Sequence, residues 1–191
     1  MEATTPTEHA HEHEMPTEGA ALTSVALSAT LHCLTGCAIG EILGMVIGTA
    51  LGFSDWGTVA LAVALAFLFG YALTSVPILR AGFAIGAVIP IALASDTLSI
   101  ATMEVVDNAI MLAIPGAMEA GLTNTLFWGS LSVALVIAGV AAFPVNRYLI
   151  ARGKGHAVVP VMGGPPIWLI KVIATVAFVF GSTILLLEVI G

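Results

Sequence analysis

Basic residues are scarce: the chain has five Lys and Arg in 191 residues, and none precedes Arg80. No basic patch can be built from so few cations, so nucleic acid is excluded as a partner. A secretory signal is not expected, because such a peptide opens with positive charge. Charged residues of both signs make up 9% of the chain. A soluble domain typically carries about 25%, so the material for a charged surface is missing. Cysteine is nearly absent. Cys33 and Cys37 lie inside an apolar stretch, too few and too buried for a disulfide framework. The sequence also lacks H-E-x-x-H, a P-loop, a serine nucleophile elbow and a second membrane histidine for a bis-His haem. No enzyme is expected.

Apolar residues are abundant, at 59% of the chain, and the mean hydropathy is +1.07. These values describe an integral, multi-pass protein of the cell membrane, in contact with lipid. Residues 1–20 differ from the rest. They hold Glu2, Glu8, Glu12, Glu14 and Glu18 with His9, His11 and His13. Such a polar acidic tail is expected to stay disordered. Its alternating histidines are compatible with metal binding or with a plain solvated tail. Residues 21–191 form a single transmembrane helical domain.

A spanning helix needs about 20 apolar residues. Such runs predict an all-α bundle of about five spans: residues 22–53, 58–79, 96–114, 123–150 and 167–190. Residues 81–95 are apolar but short and contain Pro90, which predicts an interfacial or re-entrant helix. Asp96 and Thr97 then read as the N-terminal cap of the third span. Residues 153–164 read as a Gly-rich loop, His156 included. With five spans, Arg80, Arg147, Arg152, Lys154 and Lys171 share one side. A sixth span would move Arg80 to the other. The Lys/Arg bias therefore favours five spans and a cytoplasmic N-terminus.

Two ribbons run along the first span. Gly36, Gly40, Gly44, Gly48 and Gly52 recur every four residues. Each step drifts by about 40° around a helix, so these glycines form one strip where another backbone can approach closely. The strip serves either a contact within the fold or a homo-oligomer. One position over lie Cys33, Cys37, Glu41 and Met45, with His32 adjacent. Thiolate, thioether and imidazole are soft or borderline ligands that select Cu(I) or Zn(II). His32, Cys33, Cys37 and Met45 are therefore candidate metal ligands. The plain alternative is that both cysteines only pack. Glu41 speaks against it, because a carboxylate inside a span normally faces a cavity, a partner or an ion.

A second ionisable group lies on the third span. Asp96, Met103, Glu104, Asp107, Met111 and Met118 fall largely on one helical face, with Asn108 beside them. Glu104 and Asp107 lie about eight to eleven residues into a span that starts at Asp96, near the membrane midplane. No Lys or Arg lies at comparable depth. These carboxyls must carry a proton, bind a cation or meet water, or hydrogen-bond to Asn108, Thr102 or another helix. Glu41, Glu104 and Asp107, with Met103 and Met111, are the candidate proton or cation pathway.

Three stretches together carry a family resemblance: L-H-C-L-T-G-C-A-I-G-E from Leu31, D-T-L-S-I-A-T-M-E from Asp96, and F-P-V-N-R-Y-L-I-A-R-G-K-G-H from Phe143. The sequence resembles a domain-of-unknown-function family of small prokaryotic polytopic membrane proteins, over about residues 31–158. Some members are loosely labelled copper oxidase. The resemblance implies a membrane bundle and no defined activity. An oxidase is not expected, because the chain has no cupredoxin-like β-domain. The leading expectation is a membrane protein that binds or transports a soft cation, Cu(I) first among them. The alternatives are a proton or cation conductor that uses only the carboxylates, and a structural or assembly subunit. A membrane thiol oxidoreductase ranks last.

Overall fold

The computed structural model describes residues 18–121 and 123–158. Four helices follow in order: α1 Gly19–Ala50, α2 Asp55–Arg80, α3 Ile85–Ala113 and α4 Thr125–Ala151. A short 3₁₀ turn, Gly155–Val158, follows α4. Among the described residues there is no strand. Each of the four helices is long and apolar enough to cross a membrane, which fits a multi-pass membrane protein. The expected fifth span, residues 167–190, lies outside the described residues, as does most of the acidic tail.

The helices form an up-down-up-down bundle. Short turns with glycine in the left-handed region join α1 to α2 at Gly52 and α2 to α3 at Gly82. Ser54 caps α2 by accepting a hydrogen bond from the Gly57 amide at 3.3 Å. Asn124 caps α4 through the Leu126 amide at 2.9 Å. Large apolar side chains point outward: Val105 is 71% exposed and Val140 is 69% exposed. Polar ones point inward, with Asp96, Ser99, Glu104, Asp107 and Asn146 all buried. An apolar outside around a polar inside suits lipid as the surrounding solvent.

The glycine strip joins α1 to α2. A Cβ at Gly36 would lie 2.7 Å from the Gly70 Cα, and one at Gly44 would meet the Cβ of Ala62 at 2.6 Å. Gly40 faces the backbone of Ala66, and Gly48 faces the Thr58 side chain. Four of the five glycines are thus covered within the chain rather than left open for a second copy. Gly52 belongs to the turn, where nothing lies near it.

One expected boundary is corrected. Residues 81–95 do not form a separate short helix, and Asp96 is not a cap. Residues 81–84 make the turn and the N-cap, and residues 85–95 and Asp96 lie within α3, whose 29 residues run without a break from Ile85. Pro90 does not end the helix, because it removes only one hydrogen bond, to the first-turn carbonyl of Gly86, and membrane helices tolerate this. Pro77 in α2 and Pro144 in α4 are likewise internal. The midpoint of α3 therefore falls at Ser99, and Glu104 and Asp107 lie in its last third rather than at its middle.

Candidate metal centre

Along α1 the residues 33, 37, 41 and 45 are all buried, and they face α3, which runs parallel to α1. Cys33 meets Asp96, Cys37 meets Met103, and Glu41 meets Asn108. α4 runs the other way, with Ile150 against Leu22 and Ala26, and Gly139 against Leu34. Asn146 of α4 ties three helices together. Its amide donates to the Thr30 hydroxyl at 3.0 Å and to the Ser99 hydroxyl at 2.9 Å.

The 3₁₀ turn supplies a further residue from what the sequence marks only as a Gly-rich loop. His156 is fully buried and reaches back to Asp96 and Cys33. Gly153 and Gly155 make this possible. Both adopt positive φ, at 65° and 60°, and let the chain reverse after α4. Gly155 packs so tightly that a Cβ there would lie 3.0 Å from Leu149. The signal in the sequence was G-K-G-H directly after a span; its weakness was that glycines also mark an ordinary loop.

Cys33, Asp96 and His156 each offer one donor atom, and all three residues are completely buried. The His156 Nε2 lies 3.1 Å from Asp96 Oδ1 and 3.8 Å from Cys33 Sγ, and Sγ lies 4.0 Å from the same Oδ1. A triangle with these edges has its centre about 2.1 Å from every corner. That length matches Zn–N and Zn–O bonds and is just short of Zn–S at about 2.3 Å. The Ser95 hydroxyl donates to Asp96 Oδ1 at 2.9 Å and fixes the carboxyl. Asp96 Oδ2 and His156 Nδ1 are buried without a hydrogen-bond partner. Burial, with a smaller push from His32, lowers the His156 pKa to about 3.

The other candidate ligands fall on different levels. His32 is next to the triangle: its ring lies 5.8 Å from that of His156, and its Nε2 shares a hydrogen bond with the Thr74 hydroxyl at 3.0 Å. Cys37 lies one turn further along α1 and pairs with the Met103 sulfur at 3.8 Å. Met45 is not brought to the cysteines; it packs with Met111, Phe127 and Leu131 in another cluster. Between these levels Asn108 donates to Glu41 Oε1 at 3.0 Å and to Glu104 Oε2 at 3.5 Å. Glu104 Oε1 and both oxygens of Asp107 are buried without a hydrogen-bond partner.

The triangle supplies three protein donors, one fewer than a closed four-ligand site. Three protein ligands with an open position let an ion exchange, unlike a closed four-ligand structural site. No curated protein and no solved structure matches the chain. The sequence from residue 24 to residue 155 matches the domain of unknown function DUF4396, and the chain belongs to that family.

Proposed function

We propose that the protein binds a divalent transition-metal ion within a membrane helix bundle, and that this ion is Zn(II). The buried Cys33–Asp96–His156 triangle carries the reading. Thiolate, imidazole and carboxylate together suit a borderline ion better than a purely soft or purely hard one. The reading is of a metal-binding membrane protein, not an enzyme. Arg80 ends α2, and Arg147, Arg152 and Lys154 lie at the end of α4, so these cations share one end of the bundle. By the positive-inside rule that end, with the start of α1, faces the cytoplasm. Cu(I) is the second reading, favoured by the Cys37–Met103 sulfur pair.

The test is elemental analysis of the detergent-purified full chain after loading with Zn(II) and removal of loose metal. Wild type retains about one Zn per chain. Cys33→Ser and His156→Ala each lose most of it, while Cys37→Ser keeps it. Loss in Cys37→Ser equal to that in Cys33→Ser moves the site to the sulfur pair. A wild type that retains no Zn contradicts the reading.

A further inference from the structure

We propose that the seam between α1 and α3 is a conduction path for the same metal, leading from the Cys33–Asp96–His156 site to the opposite end of the bundle. The inference rests on the metal reading and adds transport to it. Donor groups recur along α1 at residues 33, 37, 41 and 45, about 6 Å apart, and each faces a donor on α3 or its continuation. After Cys33 with Asp96 comes Cys37 with Met103 at 3.8 Å. Glu41 follows, joined through Asn108 to Glu104. Met45 and Met111 come last.

Two observations separate this seam from an ordinary polar core. Glu104 Oε1 and both Asp107 oxygens are buried with no hydrogen-bond partner, although Asp107 is only 1% exposed. A core built only for stability fills or satisfies such positions. The seam also runs into a crevice lined by Glu41, Met45, Thr58, Asn108, Met111 and Met118. Thr58 lies near the start of α2 and Met118 follows α3, so the crevice is at the end of the bundle away from Arg80 and Arg152. It has no room for a water molecule, and three methionines close it. Methionine is unbranched and flexible, and its sulfur is a weak ligand, so it can part for an ion and touch it briefly.

The triangle lies nearer the other end. Thr74 is level with His32 through their hydrogen bond, and Arg80 is six residues further along α2. The metal site therefore lies about two turns inside the cation-bearing end, and the carboxyls lie beyond it. An ion released from the triangle meets sulfur, then oxygen, then sulfur, with no Lys or Arg along the way among the described residues.

The test uses the full chain in sealed vesicles with an imposed Zn(II) gradient and a Zn(II)-sensitive dye inside. Zn(II) retention is measured on the same preparations. Wild type passes Zn(II). Glu104→Gln with Asp107→Asn reduces the flux at least tenfold and keeps the bound Zn at wild-type stoichiometry. Met111→Leu keeps the volume and removes only the sulfur, and it also slows the flux; it decides the matter should the double variant fail to fold. Wild type that retains Zn(II) but passes none overturns the path and leaves the metal site standing. Wild-type flux in Met111→Leu together with the carboxyl variant also overturns it. Wild type that neither binds nor passes Zn(II) overturns both.

Discussion

Asn146 is a single side chain with consequences for three helices. Its amide is the donor for both the Thr30 and the Ser99 hydroxyls, deep in the bundle. Replacing it with Leu removes that donor and takes one accepted hydrogen bond from each hydroxyl, although Thr30 keeps its bond to the Ala26 carbonyl. Each lost hydrogen bond is worth about 0.5–1.5 kcal/mol. Asn146→Leu is therefore expected to melt at a clearly lower temperature in detergent than wild type while retaining its Zn. An unchanged melting temperature would mean the bridge contributes nothing. Asn146 gave no sign of this role in the sequence, since a lone Asn near the end of a span reads as interfacial. Cys33 and Glu41 were legible because they repeat at the helical step on one apolar helix. His156 was not, because its partners are 60 and 123 residues away, and only the reversal at Gly153 and Gly155 brings them together.

The α1–α2 contact is the element that most depends on small residues. The strip from Gly36 to Gly48 lets the two backbones nearly touch, and in lipid such close packing is a main source of helix association. Gly40→Ala puts a methyl group into the Ala66 backbone, which cannot yield without separating the helices. That variant is expected to lose most of its monodisperse yield on size exclusion. Gly129→Ala is the control: Gly129 lies within α4 with nothing within 4 Å, so this change is neutral or slightly stabilising. Equal yields from both variants would show that the strip bears no packing. The glycine period was plain in the sequence, but its partner was not, because the Ala62, Ala66 and Gly70 of α2 also suit a lipid-facing surface. The start of α3 is not legible in the sequence, for a local reason. Pro90 and Asp96 each mark a helix boundary in water, whereas within a bundle the proline costs one hydrogen bond and the aspartate finds Ser95 and His156.

At the scale of the molecule, the apolar runs already disclosed four of the helices, and Arg80, Arg147, Arg152 and Lys154 their shared end; Lys171 lies outside the described residues. The metal triangle was beyond reach of any run or repeat, because its residues come from α1, from α3 and from the turn after α4. It exists only when these three segments are folded against one another, so the coordination of a bound ion reports on the whole fold. X-ray absorption at the zinc edge, on Zn-loaded full-length protein, reads that coordination directly. The expected spectrum has one sulfur at about 2.3 Å and two or three nitrogen or oxygen neighbours at about 2.0–2.1 Å, with the sulfur lost in Cys33→Ser. Two sulfurs around the ion, or none in wild type, would contradict the Cys33–Asp96–His156 site.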